Sequence, residues 1–121
     1  MTWRYDQSSG ELTHNGKFIS RGYSGHQLGK NNPLLEGKVA TGPLPRGMWK
    51  IGGPPYNSAN VGPYALHLSP VGHDAHGRSA FKIHGDSARA PGTASRGCII
   101  LPRNVREAIW ASGDRDLEVV E

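Results

Sequence analysis

One cysteine and one histidine in this 121-residue sequence have the spacing expected of a nucleophile and its base. Cys98 is the only cysteine, follows Gly97 and begins an apolar run, while His84 lies fourteen positions earlier at the end of an apolar alternation. A free thiol is mostly protonated at neutral pH, and a neighbouring imidazole can take its proton to give a thiolate that attacks carbonyl carbon. The pair predicts nucleophilic cysteine chemistry, with Cys98 as nucleophile and His84 as general base.

The residues just before the cysteine offer the supporting groups that acyl transfer needs. The backbone amides of Gly97 and Cys98 are candidate oxyanion-hole donors. Ser95 either orients the site through a hydrogen bond or caps the turn. A structural interpretation of the pair stays open as well, because free cysteine is among the most buried residue types and His84 can be a hydrogen-bonded sheet residue.

Two strands must position the pair. The alternation over residues 81–84 predicts a strand that ends at His84, and the apolar run over 98–101 predicts a buried strand that starts at Cys98. The Gly-containing connection 85–94 would fold back so that the two side chains converge.

The flanking segments predict one helix and further strands. Pro102 suits the first turn of a helix over 103–110, and Gly113 is its expected stop. Leu117 and Val119 alternate with polar residues in a closing strand.

The first half of the sequence predicts strands joined by long loops. Asn15-Gly16 is a strong type I′ hairpin signal. Residues 22–33 and 52–63 are rich in Gly, Asn and Pro and are expected to be loops. In the strand over 64–68, His67 alternates with leucines and is expected to face away from them.

Composition favours a mostly-β domain. Hydrophobic residues make up only 36% of the sequence, while Gly (17) and Pro (9) are frequent, which suits short strands and tight turns. The length predicts a single domain over residues 1–121.

Charge and hydropathy argue against two classes of partner. The formal charge is +4, but Lys and Arg are scattered singly, so nucleic-acid binding is not predicted. No apolar stretch approaches the ~20 residues that cross a bilayer, so membrane insertion is not predicted. The first residues lack the apolar core of a signal peptide, so work outside the cytoplasm would need another delivery route.

One polar turn has a weak metal-binding pattern. His73, Asp74 and His76 lie together, but no second ligand pair follows at metal-binding spacing. We expect no cofactor and no metal, and a zinc site that recruits His84 and Cys98 is a minor alternative.

Several motifs resemble those of a known family. The segments His84-Gly85-Asp86 and Ser95-Arg96-Gly97-Cys98-Ile99 resemble the signature of L,D-transpeptidases of the YkuD-like superfamily. Further segments are similar to the small toxin branch of that superfamily, some of whose members are type VI secretion effectors: Tyr23-Ser24-Gly25, Lys30-Asn31-Asn32-Pro33, Gly42-Pro43-Leu44-Pro45-Arg46-Gly47 and Gly77-Arg78. The similarity runs from about Tyr23 to Ile109.

This resemblance implies a β-sandwich catalytic domain that acts on peptidoglycan. The cysteine would attack the amide between the third stem residue and the terminal D-alanine, releasing D-alanine. Water as acceptor gives L,D-carboxypeptidase action, a free D-amino acid gives exchange, and a second stem gives a cross-link. The toxin branch implies delivery to the periplasm of a rival bacterium and a cognate immunity protein as partner. Tyr23, Ser24 and Gly85 become candidate substrate-binding residues.

Two departures from the family pattern argue against efficient cross-linking. Arg96 stands where the family usually has histidine, and a guanidinium cannot shuttle protons, although it can lower a thiol pKa or bind a substrate carboxylate. The stretch between His84 and Ser95 is also shorter than in wall-building members.

Two other functions remain as alternatives. A papain-like peptidase or amidase has its cysteine before its histidine, whereas here His84 precedes Cys98, which disfavours that class. A non-catalytic wall-binding module would leave Cys98 buried and unreactive.

Overall fold

A computed structural model describes residues 2–121. Within this range the backbone forms nine strands and one α-helix, and its loops contain three short 3-10 helices. The strands are β1 (Trp3–Asp6), β2 (Glu11–His14), β3 (Lys17–Arg21), β4 (Tyr23–Ser24), β5 (Gly47–Ser58), β6 (Gly62–Val71), β7 (Lys82–His84), β8 (Ile99–Ile100) and β9 (Asp116–Val120), and the helix is α1 (Arg103–Ala111). The predicted mostly-β class with one helix near the C-terminus is confirmed.

The nine strands of this range form one sheet in the order β3-β2-β1-β9-β5-β6-β7-β8-β4. Two of its pairs are parallel, β1 with β9 and β7 with β8. The predicted N-terminal hairpin is confirmed, since β2 and β3 pair antiparallel around Asn15 and Gly16, whose φ values are 53° and 80°.

The core is a connected cluster of apolar side chains. It takes Trp49 and Ile51 from β5, and Ile83 and Ile99 from the two strands that precede the helix. The predicted helix is confirmed as α1, and the core members Leu101, Val105 and Ile109, spaced four residues apart, are all buried along one face. The core therefore holds β7, β8 and α1 together beneath the candidate site.

The prediction of a loop over residues 52–63 is wrong for most of these residues. There β5 and β6 continue as a long hairpin, with Tyr56 opposite Ala65 and Ser58 opposite Gly62. The pairing shifts register between Gly52 and Tyr56, and such irregular positions tolerate the prolines that suggested a loop.

The segment between β4 and β5 is irregular, as predicted, and one buried carboxylate anchors it. Glu36 accepts hydrogen bonds from Gln7 Nε2 (2.8 Å) and Arg46 Nε (3.1 Å) and contacts His76 Nε2 (3.0 Å). Burial raises the pKa of Glu36, but these hydrogen bonds outweigh it and lower the pKa to about 2. The loop is therefore fixed to β1 and to the turn before β7.

None of the helices between residues 2 and 121 has the length and apolarity needed to cross a lipid bilayer.

Candidate active site

The parallel pairing of β7 and β8 brings His84 and Cys98 onto neighbouring strands. Ile83 pairs with Ile99 and His84 pairs with Ile100, so Cys98, one residue before β8, lies level with the start of β7. Because side chains alternate along strands, the inward packing of Ile83 and Ile99 directs Cys98 and His84 to the opposite face. The strand spacings put their Cα atoms roughly 8 Å apart.

The two reactive groups are not hydrogen bonded to each other. Across residues 2–121, no hydrogen bond joins Cys98 Sγ to the His84 ring; the sulfur instead lies 3.9 Å from the Ala80 carbonyl oxygen. Cys98 lines a cavity of about 320 Å³, and His84 lines a neighbouring one of about 400 Å³. The sequence correctly predicts that the two strands meet, whereas the described residues show no hydrogen bond between the two side chains.

The His84 imidazole is buried and held in one tautomer. Its Nδ1 lies 2.9 Å from the Gly85 carbonyl oxygen, which can only accept, so Nδ1 carries the proton and Nε2 has a free lone pair. Burial lowers the pKa of His84, and the positive charges of Arg106 and Lys82 lower it further, against a raising effect of the Gly85 hydrogen bond. The ring is therefore neutral at pH 7, as a base must be.

The Cys98 thiol is half-buried beside positive charge. Burial raises the pKa of Cys98, while the Lys82 backbone N–H and the charges of Lys82 and Arg78 oppose that rise. The net effect is a raised pKa, so the resting thiol is protonated. Its cavity is lined by apolar and basic residues that include Val39, Phe81 and Arg96.

Ser95 organises the turn that carries the cysteine. Its fully buried hydroxyl donates to the Cys98 carbonyl (2.6 Å) and accepts from the N–H groups of Gly25 (2.8 Å) and Gly97 (3.1 Å). The predicted hydrogen bonding by Ser95 is therefore present. The oxyanion role predicted for Gly97 is not supported in this conformation, because its N–H is already engaged by Ser95. The Cys98 N–H stays the predicted donor.

Tyr23 and Ser24 lie in β4, so the loop predicted over residues 22–33 is wrong for these two residues. They pair with Ile100 and Ile99 at the edge of the sheet. The Ser24 hydroxyl is fully buried, donates to the Gly97 carbonyl (2.9 Å) and accepts from the Leu44 N–H (2.8 Å). A side chain so enclosed positions the cysteine turn and cannot contact substrate.

The Tyr23 hydroxyl shapes the connection between histidine and cysteine. It donates to Asp86 (2.6 Å) and accepts from the Ala94 N–H (2.9 Å), while Asp86 also accepts from the N–H groups of Ser87 and Gly92. Burial and the Asp86 contact raise the pKa of Tyr23 to about 12. The phenol therefore stays protonated at neutral pH, and its hydrogen bonds connect both ends of the segment 86–94 to β4.

Gly85 and Arg96 keep their predicted roles as candidates. A Cβ on Gly85 would lie 2.8 Å from Arg106 Nη2, so the residue packs against that guanidinium, and it also lines the His84 cavity. Arg96 is exposed and lines the Cys98 cavity. Substrate binding by either one stays a prediction.

Three residues near the site were missed by reasoning from the sequence. Arg106 donates to the carbonyls of Leu101, Pro63 and Tyr64 and so joins α1 to β6. The buried Tyr56 hydroxyl has no hydrogen-bond partner within the described chain, and its pKa is raised by burial and then by the Cys98 charge. Tyr56 lies in a segment that the sequence predicted to be a loop. The only sequence signal at Arg78 was the Gly77-Arg78 motif.

Within residues 2–121, no group of three or more His, Cys, Asp or Glu side chains is arranged to hold a metal ion. His73 contacts the Met48 carbonyl and His76 contacts Glu36, so both rings have protein partners.

Comparisons with known proteins agree with this architecture. A family model described as the Tlde1 domain matches residues 19–120. No curated protein sequence matches the chain.

Solved structures similar to this chain include two L,D-transpeptidases and a cell shape determining protein. An L,D-transpeptidase from Enterococcus faecium, solved as a cysteine-to-serine mutant, has 15% identity and a TM-score of 0.59, with 98% of this chain and 48% of that chain covered. The helical cell shape determining protein Pgp2 from Campylobacter jejuni has 18% identity and a TM-score of 0.58, with 98% and 46% covered. L,D-transpeptidase 1 from Mycobacterium tuberculosis has 19% identity and a TM-score of 0.52, with 99% and 61% covered. The chain thus spans about half the length of the first two, and these likenesses show a shared fold.

Proposed function

Because the chain belongs to the Tlde1 domain family, we propose that it is a cysteine-dependent acyltransferase acting on peptidoglycan stem peptides. It releases the terminal D-alanine as an L,D-carboxypeptidase, exchanges it for a free D-amino acid, or does both. The observation that carries this proposal is the placement of Cys98 and His84 on adjacent parallel strands, facing the same side. The L,D-transpeptidase folds among the similar structures support the same chemistry.

In the first step, the Cys98 sulfur attacks the carbonyl carbon of the amide that precedes D-alanine. Nε2 of His84 takes the thiol proton as the C–S bond forms, and the Cys98 N–H is the candidate donor to the oxyanion. When the C–N bond breaks, the imidazolium returns its proton to the leaving amine. D-alanine departs and a thioester remains on Cys98.

In the second step, water or the amine of a D-amino acid attacks the thioester. His84 accepts the proton of that nucleophile and then returns a proton to the sulfur, which restores the thiol. The gap between the two groups fits a resting enzyme, since catalytic hydrogen bonds are often long without substrate and shorten in its complex.

The positive side of the cysteine cavity supports an anionic substrate. Arg78 and Arg96 both line it, and a stem peptide ends in a carboxylate that an exposed guanidinium can bind through two hydrogen bonds. In this proposal Arg96 holds the terminal carboxylate.

Effector delivery completes the proposal. Membership of the Tlde1 family supports this part: in our proposal the protein is an antibacterial effector that acts on the cell wall in the periplasm of a target bacterium and is neutralised by an immunity protein. One catalytic domain, residues 1–121, performs the chemistry.

The test is incubation of the purified protein with tetrapeptide and pentapeptide muropeptides, with and without a free D-amino acid, read by mass. From the tetrapeptide we expect loss of D-alanine or its replacement by the added amino acid, and from the pentapeptide loss or replacement of its last two residues together. Both activities should be lost in Cys98→Ala and His84→Ala. His26→Ala, a half-exposed loop histidine, is the matched control and should stay active. Cleavage of a different bond would assign another hydrolase class, and unmodified muropeptides would refute the proposal.

A further inference from the structure

We propose that Arg78 is a positioning residue for the nucleophile: it fixes the turn that carries Cys98 and places a permanent positive charge beside the sulfur. A role for Arg78 in catalysis rests on the proposed function. Its effect on the ionisation of the Cys98 thiol does not, and can be measured without a substrate.

The Arg78 guanidinium is buried and bound to four backbone carbonyls. Nη1 donates to Glu36 (2.6 Å) and Pro43 (3.0 Å), and Nη2 donates to Gly42 (3.0 Å) and Arg96 (3.0 Å). Three of these carbonyls belong to the loop before β5, and the fourth lies two residues before Cys98. One side chain therefore joins that loop to the cysteine turn.

The turn is shaped to receive the guanidinium. Gly97 has a φ of 139°, and a Cβ at this position would lie 2.5 Å from Arg78 Nη2 and 2.8 Å from Phe81 Cε1. The Phe81 ring centroid lies 5.0 Å from the guanidinium carbon. A glycine is required at position 97 because the backbone must pass directly over the guanidinium and the ring.

No carboxylate forms a hydrogen bond with Arg78, and the Glu36 charge acts on it only through space. All four hydrogen-bond partners are neutral carbonyls, and the nearby Glu36 side chain contacts Gln7, Arg46 and His76 instead. Within residues 2–121, the ion pairs do not include Arg78.

That charge lies near the sulfur, since Arg78 and Cys98 line the same cavity and the Arg78 charge acts on the thiol. A fixed cation near a thiol favours the thiolate, and a half-buried site screens it less than open water. Burial raises the pKa of Cys98, and the Lys82 backbone N–H, the Lys82 charge and then the Arg78 charge oppose this rise. Arg78 therefore offsets part of the burial cost of ionising the nucleophile.

A purely structural role for Arg78 makes a different prediction. If the side chain only fastened the loop, its loss would lower the melting temperature and leave the ionisation of Cys98 unchanged. The rate of thiol alkylation as a function of pH separates the two roles, and it needs no peptidoglycan substrate. Since Cys98 is the only cysteine, iodoacetamide reports on this thiol alone.

The experiment compares wild type with Arg78→Gln and Arg78→Lys, each checked for folding by circular dichroism. In Arg78→Gln we expect alkylation about three- to tenfold slower near pH 7.5, with rates that converge only at a pH above the raised pKa of the thiol in both proteins. In Arg78→Lys we expect a shift in the same direction of about twofold, because an ammonium cannot hold carbonyls on two segments at once.

Arg46→Gln is the matched control, since Arg46 also anchors the loop through Glu36 but does not line the cysteine cavity. It should melt earlier and keep the wild-type alkylation profile. A folded Arg78→Gln with the wild-type profile overturns the inference, and if that variant does not fold, a wild-type profile in Arg78→Lys overturns it. A shifted profile in a protein that releases no D-alanine would keep this inference and refute the proposed function.

Discussion

The Ser95 hydroxyl donates a hydrogen bond of 2.6 Å to the carbonyl of Cys98, three residues further along the chain. The same oxygen accepts the N–H groups of Gly25 and Gly97, so it joins β4 to both sides of the cysteine. This buried hydroxyl is thus one of the groups that fix the position of Cys98, together with the Ser24 hydroxyl and the Arg78 guanidinium.

Replacing this hydroxyl should damage both stability and activity. In Ser95→Ala, three buried polar groups lose their partner, which we expect to lower the free energy of unfolding by about 2–4 kcal/mol. We also expect D-alanine release to fall at least about tenfold, because the cysteine turn loses its anchor. Urea unfolding and product assays measure the two effects. Ser69→Ala, at an exposed serine of β6, is the control, and equal behaviour of the two variants would contradict this role.

On the acid side, the activity should begin to fall at a pH below the ordinary pKa of histidine. Burial lowers the pKa of His84, so the ring stays neutral and able to accept a proton at pH values where an ordinary histidine, near 6.5, begins to charge. As pH falls through the lowered pKa, the base is lost and kcat/KM should decline. The pH profile of kcat/KM reports this limit for the free enzyme. An acid limb centred above about pH 7 would show that His84 is not the base as described.

The Tyr23 hydroxyl should control the order of the connection between the two reactive residues. In Tyr23→Phe, Asp86 and the Ala94 N–H lose a shared partner, so the segment should open more often. Arg89 is exposed within it and offers a trypsin site. We expect cleavage after Arg89 several-fold faster than in wild type.

The control for that variant is Tyr64→Phe, whose ring packs under Arg103 away from this connection. It should be cut at the wild-type rate. Wild-type resistance in Tyr23→Phe would mean that Asp86 orders the connection without help from the phenol.

The buried carboxylate of Glu36 should stabilise the fold in a pH-dependent way. Its pKa is about 2 in the folded protein against an ordinary value of 4.5, so the ionised carboxylate contributes stability above pH 4.5 and loses that contribution as pH falls toward 2. In Glu36→Gln we expect a loss of about 1–3 kcal/mol at pH 7 that shrinks between about pH 4.5 and 2. Urea unfolding at several pH values measures this loss.

Glu11→Gln removes an exposed ion pair with Arg21 and is the control. It should cost less than about 1 kcal/mol. A pH-independent loss in Glu36→Gln would indicate that shape, and not charge, explains the contribution.

Local signals predicted the elements that carry the reactive pair. Asn15-Gly16 specifies its turn by backbone conformation, and the spacing of Leu101, Val105 and Ile109 specifies a helical face. These features depend on neighbours within a few residues, which a sequence displays directly.

Long-range pairing explains what the sequence did not predict. Tyr23 and Ser24 form a strand only because β8 supplies their partners. The prolines after Gly52 suggested a loop, but a register shift accommodates them within a strand. Likewise, the position of Arg78 depends on hydrogen bonds to backbone carbonyls at 36–43 and 96, which are distant from it in sequence.

The central claim is that the Cys98 sulfur becomes acylated by the stem peptide. The direct measurement is the intact mass of the protein after incubation with a tetrapeptide stem and an acid quench. We predict an adduct equal to the stem minus D-alanine, located on Cys98 by peptide mapping and missing from Cys98→Ser. Release of D-alanine by Cys98→Ser at the wild-type rate would contradict the account.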